Sequence, residues 1–127
     1  MRASIASIIE KKARNEKITV LTAYDYSFSA ILDTAGVDII LVGDSMANVV
    51  LGMESTVEIS LDEMINHCRA VAKGSQNALV IGDMPYCSYQ SNPEEALDSA
   101  RRFMDAGCQG VKLEWFDSAL EVTTRIV

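Results

Sequence analysis

The sequence predicts an α/β fold built on a parallel sheet with helices outside it. Two observations carry that expectation. Short β-branched runs, apolar on both faces, alternate with longer amphipathic stretches, the pattern of strands covered on both sides. A weak repeat, Asp33-Thr34-Ala35-Gly36 and Met104-Asp105-Ala106-Gly107, ends a helix just before a strand at two places.

The expected order is one helix followed by four strand-helix units. The N-terminal helix interleaves Lys11, Lys12, Arg14 and Lys17 with Glu10 and Glu16, which reads as a solvated face. Ile18 to Thr22 is the first strand. Phe28 to Thr34 is a helix stopped at Ala35-Gly36, and Asp38 to Val42 is the second strand. Ser60-Leu61-Asp62-Glu63 has the spacing of a capping box. It opens a helix running to about Lys73, with Gly74 as the C-cap. Ala78 to Gly82 is the third strand. Asn92-Pro93-Glu94-Glu95 starts the next helix, with an Asn N-cap, Pro at the first position and acids in the first turn. Val111 to Glu114 is the fourth strand, and Asp117 is placed to cap a last helix. No Pro/Gly/Ser-rich linker occurs, so residues 1–127 are expected to form one domain. Four such units are half of an eightfold barrel, and a half-barrel leaves edges unpaired. The motifs below favour the N-terminal half of a (β/α)8 TIM barrel over a small open sheet.

Composition narrows the function. The 127 residues carry 11 basic and 18 acidic side chains, net charge −7, which disfavours nucleic-acid binding. Mean hydropathy is +0.12, and no run approaches the roughly 18 apolar residues of a membrane helix. Met1 to Ile5 opens no apolar leader before Glu10-Lys11-Lys12. Cys68, Cys87 and Cys108 are odd in number and widely spaced, and His67 stands alone. A disulfide framework or structural zinc site is not expected, and reduced cytoplasmic thiols are.

Ligands of parallel α/β folds sit at the carboxyl ends of strands. Acids stand at all four ends: Asp25, Asp44, Asp83 and Glu114. Asp44, Asp83 and Glu114 end neighbouring strands about 4.8 Å apart, so three carboxylates at one level would hold one cation. All-oxygen ligation suits Mg²⁺. Lys112 shares strand parity with Glu114 and points to the same side, where it suits an anionic substrate. Ser45 follows Asp44 and can donate to that anion, and Tyr24 lies at the mouth of strand one. A plainer reading stands beside each: an Asp after a strand caps the next helix, Lys112 pairs with Glu114, and Tyr24 packs. Cys87 and His67 read as structural. No GxGxxG, GxxxxGK[ST] or GxSxG frame occurs.

Several segments together resemble the ketopantoate hydroxymethyltransferase family. They are Leu21 to Tyr26, Ala35 to Asp38 running on to Leu41-Val42-Gly43-Asp44-Ser45, and Val49 to Gly52. Asp83-Met84-Pro85 with Ser88-Tyr89-Gln90, and Val111 to Glu114, complete the set. They stand in family order over roughly Lys17 to Glu114. The resemblance implies a (β/α)8 barrel of about twice this length and a homo-oligomer, typically a decamer. It implies transfer of a hydroxymethyl group from 5,10-methylenetetrahydrofolate to 3-methyl-2-oxobutanoate through a Mg²⁺-chelated enolate, giving 2-dehydropantoate. It implies Asp44, Asp83 and Glu114 as metal ligands, directly or through water, and Ser45, Asp83 and Lys112 on the keto acid. The family's glutamate general base lies beyond Val127, so this chain alone is expected to be inactive.

Three departures stand out. Trp115-Phe116 replace the glycines usual after Lys-Leu-Glu, Met46-Ala47-Asn48 follow Gly-Asp-Ser in place of Leu-Gly, and Val57-Glu58 stand where proline is common. Two other readings are kept open: a barrel enzyme of the phosphoenolpyruvate mutase and isocitrate lyase kind, and a truncated non-catalytic chain that pairs with a partner.

Overall fold

The computed structural model describes residues 3–127. Met1 and Arg2, the first residues of the segment read for a leader, lie outside the described residues. The elements are α1 (Ile5–Ala13), β1 (Val20–Thr22), α2 (Tyr26–Thr34), β2 (Ile39–Val42) and α3 (Met46–Val49). A 3-10 turn follows at Thr56–Glu58, then α4 (Leu61–Gly74), β3 (Leu79–Asp83), α5 (Pro93–Asp105), β4 (Gly110–Lys112) and α6 (Ala119–Ile126). The strands form one sheet in the order β1-β2-β3-β4, and every neighbouring pair is parallel. The expected α/β class is therefore the observed one.

Strand parity decides what is buried. Ile40, Val42 and Val80 point under the helices and are fully buried with Met64, Cys68, Val71 and Phe103. Ile39, Leu41 and Ile81, of the opposite parity, are only half-buried. The capping signals are realised. Ser60 Oγ accepts the Glu63 N–H at 3.2 Å, and Glu63 Oε2 accepts the Ser60 N–H at 3.0 Å. Asn92 caps α5 through the Glu95 N–H at 2.9 Å, with Pro93 in the first helical position.

Four expectations need correction. Gly74 is the last residue of α4, not its cap. It is small because α2 crosses there: a Cβ would lie 2.5 Å from the Tyr26 carbonyl oxygen. The fourth strand ends at Lys112, leaving Glu114 in the segment beyond it. α6 begins at Ala119 after Ser118, with no side-chain cap, so Asp117 does not cap it. Lys11 is not merely solvated, since its ammonium meets Asp38 Oδ1 at 2.5 Å and pins α1 beside β2. The sequence reading also passed over α3 and the 3-10 turn, both too short for a helical period to register.

A buried carboxylate ties α2 to the start of β3. Asp33 accepts from the backbone N–H of Ala78 (2.7 Å) and Asn77 (2.8 Å), from the Asn77 amide (2.9 Å) and from Ser75 Oγ (3.1 Å). At the other end of β3, Gly82 makes room for α5. A Cβ there would lie 2.2 Å from Phe103 Cδ1 and 3.2 Å from Cys68 Sγ. Gly82→Ala is expected to destabilise the fold by about 1–3 kcal/mol through overpacking. A urea titration with an unchanged midpoint would refute this.

Candidate active site

Each side chain singled out at a strand end can now be placed. Asp25 is a cap, its carboxylate taking the Phe28 N–H at 2.8 Å to start α2. Asp83 is the last residue of β3 and only 3% exposed. Its Oδ2 accepts the Asp44 N–H at 3.2 Å, and its Oδ1 accepts from Lys112 Nζ at 2.9 Å. The Lys112 ammonium also pairs with Glu114. Tyr24 Oη and Ser45 Oγ are 2.9 Å apart. The structure thus joins Tyr24 to Ser45, and joins Asp83 to both Lys112 and the Asp44 backbone.

The sequence reading placed three carboxylates at one level. The register explains why that needs correction. Asp83 lies opposite Lys112, not Glu114. Glu114 falls two residues farther along, past the strand, with its side chain 69% exposed. Among the described residues no three His, Cys, Asp or Glu side chains gather as one metal-ligand set. What lies at the level of Asp83 is an ammonium group.

Electrostatics follow from this geometry. Burial raises the affinity of Asp83 for a proton; Lys112 and the Asp44 N–H oppose that, and the Asp44 charge adds to it. Lys112 is partly desolvated, which works against its charge, yet Glu114 and Asp83 together hold its pKa well above the ordinary lysine value. It is therefore an ammonium at any physiological pH and cannot take a proton from a substrate. A buried carboxylate beside a second aspartate calls for positive charge. The donors are all oxygen, and Mg²⁺ is commonly held by one or two carboxylates plus waters and substrate oxygens. Asp44 and Asp83 fit that kind of ion, while Glu114 lies outside their level.

Around this centre lie residues the sequence reading underused. Tyr89 is buried, and its hydroxyl accepts the Glu114 N–H at 3.1 Å. Its ring meets Phe116 edge-on at 5.5 Å. Cys87 adopts φ 69°, left-handed for a non-glycine residue, and Gln90 Oε1 holds its N–H at 2.7 Å. His67 Nδ1 lies 2.6 Å from the Tyr24 carbonyl oxygen, to which the ring N–H donates. It thereby steadies the mouth of β1, in keeping with the structural role expected of it. The signal for Tyr89 was its place, with Tyr86, as one of two tyrosines in the loop after β3, which periodicity does not weigh. No disulfide joins the three cysteines among the described residues, and no helix among them is long and apolar enough to cross a membrane.

Comparison with known proteins gives the arrangement a family. Solved structures of similar fold include an oxaloacetate acetylhydrolase (TM-score 0.68, 16% identity, 92% of this chain and 44% of that one). Another is a 2,3-dimethylmalate lyase of the PEP mutase/isocitrate lyase superfamily (TM-score 0.68, 18% identity, 95% and 48%). At such identity the likeness is one of fold. Sequence relatives are nearer. A 3-methyl-2-oxobutanoate hydroxymethyltransferase of Syntrophomonas wolfei is 50% identical over 99% of this chain and 46% of its own length. One of Dehalococcoides mccartyi is 48% identical over 100% and 45%. One of Flavobacterium johnsoniae is 53% identical over 89% and 42%. The chain thus spans about half the length of the curated relatives it matches. The ketopantoate hydroxymethyltransferase profile matches residues 2–127, and the chain belongs to that family.

Proposed function

We propose that this chain supplies the metal-binding and keto-acid-binding side of a 3-methyl-2-oxobutanoate hydroxymethyltransferase. The reaction moves a hydroxymethyl group from 5,10-methylenetetrahydrofolate to 3-methyl-2-oxobutanoate and yields 2-dehydropantoate, on the route to pantothenate. The observation that carries the reading is the Asp83 carboxylate, buried and shared between the Lys112 ammonium and the Asp44 N–H. With a divalent cation on its carboxylates, a site so arranged would bind a small anion bearing a second oxygen donor, which describes an α-keto acid.

Mg²⁺, when bound, would be held by Asp44 and Asp83, with Glu114 reaching it only through water, and would supply Lewis-acid polarisation of the keto acid. Lys112 sets positive charge beside the substrate carboxylate and stabilises negative charge as it develops. Ser45 donates its hydroxyl to the keto acid, and Tyr24 orients that hydroxyl through their 2.9 Å contact. No residue of 1–127 is assigned as the base that takes the C3 proton. The same reading makes residues 1–127 one domain, the N-terminal half of a (β/α)8 barrel of about four βα units. It places the protein in the cytoplasm as a homo-oligomer, with the keto acid and the folate as its small-molecule partners.

The test is hydrogen exchange at C3 of 3-methyl-2-oxobutanoate in D₂O by the full-length protein. Exchange is expected to require Mg²⁺ and to vanish when Asp44→Ala and Asp83→Ala are combined. Exchange that persists in the double variant overturns the assignment.

A further inference from the structure

Ser45 stands at the N-cap of α3, yet its side chain makes no capping hydrogen bond. Its Oγ meets Tyr24 Oη instead, at 2.9 Å. Gly43 leaves the room for this, since a Cβ there would lie 3.0 Å from Ser45 Oγ. Each of the two hydroxyls has one proton to give. For Ser45 to give its proton to a keto acid, Tyr24 must give its own to Ser45. The contact therefore has a direction, and it depends on where the phenol is held.

A tyrosine side chain has two torsions, so its hydroxyl follows the backbone that carries it. Tyr24 lies two residues past Thr22, the end of β1. Ala23 is still tied to β2, its N–H donating to the Leu41 carbonyl at 3.2 Å. Asp25 is already engaged in capping α2. Between them the Tyr24 carbonyl turns to α4, where His67 Nδ1 lies 2.6 Å away. A carbonyl oxygen only accepts, so Nδ1 carries the proton. His67 is half-buried, with Met64 and Cys68 of the same helix fully buried and the Ser60–Glu63 capping box one turn before it. A donor on a packed helix thus fixes a peptide group in the loop that bears the phenol.

We infer that His67 is a positioning residue for the keto acid: it holds the Tyr24 carbonyl, Tyr24 thereby aims its hydroxyl at Ser45, and Ser45 keeps its proton for the substrate. The inference rests on the function proposed above and adds to it a residue of α4 that acts only through Tyr24.

The test measures KM and kcat for Mg²⁺-dependent hydrogen exchange at C3 of 3-methyl-2-oxobutanoate by the full-length protein. His67→Ala and His67→Gln are expected to raise KM about tenfold. Their kcat is expected to change less than about twofold, the split produced by a lost ground-state contact. His67→Asn is expected to bring KM back to within about twofold of the unaltered value. Its amide nitrogen stands where Nδ1 stands, whereas the glutamine nitrogen lies one bond farther out. In a Tyr24→Phe protein, His67→Ala is expected to add less than about twofold more. An unchanged KM in His67→Ala overturns the inference, as does a full loss on top of Tyr24→Phe. Should His67→Ala fail to fold, the asparagine and glutamine variants decide, and equal KM in those two overturns it. If exchange is Mg²⁺-dependent but unmoved by every His67 variant, only the role of His67 falls. If the unaltered protein catalyses no exchange, the function proposed above falls and takes this inference with it.

Discussion

Asp83→Asn is expected to weaken binding of 3-methyl-2-oxobutanoate with Mg²⁺ by at least about 100-fold, while its unfolding midpoint stays level or rises. The two halves of this result have one cause. Asp83 is 3% exposed, and burial raises its pKa. A carboxyl that binds its proton more tightly when folded is most stabilising when protonated. That contribution is lost as pH rises from the ordinary aspartate range through the raised value. At neutral pH the ionised group therefore acts against folding, offset by Lys112. Asparagine keeps an acceptor for the Asp44 N–H and removes the buried charge, while Lys112 retains Glu114. Exchanging one member of a buried pair often costs several kcal/mol; here the 39% exposure of the Lys112 side chain softens the loss. Calorimetry and a thermal melt on one sample check both halves. Unweakened binding, or a collapse of the melt, would contradict this account.

Asp33→Ala is expected to have the largest effect on stability, about 3–5 kcal/mol. It leaves the N–H groups of Asn77 and Ala78 without the acceptor they share in the folded chain. Burial alone would raise the Asp33 pKa, but the backbone N–H groups of Ala78, Asn77 and Gln76 outweigh it and hold the value at about 2, against an ordinary 3.8. A depressed pKa means a contribution fully present above the ordinary value and lost as pH falls from there towards about 2. That contribution is about 2 kcal/mol. Urea unfolding at pH 7 and at pH 2 should show the variant's deficit shrinking by that amount in acid. A deficit that is the same at both pH values would mean the carboxylate's charge is not what ties α2 to β3.

The layout of the fold was legible because it rests on local signals. Ser60 with Glu63, and Asn92 with Pro93, cap helices where the sequence places them. The apolar runs around Ile40 and Val80 are strands, with Ile40, Val42 and Val80 fully buried and Ile39, Leu41 and Ile81 only half-buried. The site was legible in its membership more than in its geometry. Lys112 and Glu114 do share parity, but which of them faces Asp83 depends on the register between β3 and β4, and no short-range pattern encodes that. Gly74 was misread because its smallness answers a neighbour 45 residues earlier in the chain, Ser29, whose Cβ would lie 2.9 Å from an added Cβ. Trp115 stood out as a departure, and the structure places it, 81% exposed, on the wall of a cleft beside Asp44 and Glu114.

Strand β3 carries a sequestered acid at each extremity, Asp33 against its entry and Asp83 at its exit. The two are tuned in opposite directions. Mild acidification neutralises the exit first and leaves the entry ionised. Acid is thus expected to discharge the strand-end carboxylate at Asp83 before it loosens the tie between α2 and β3.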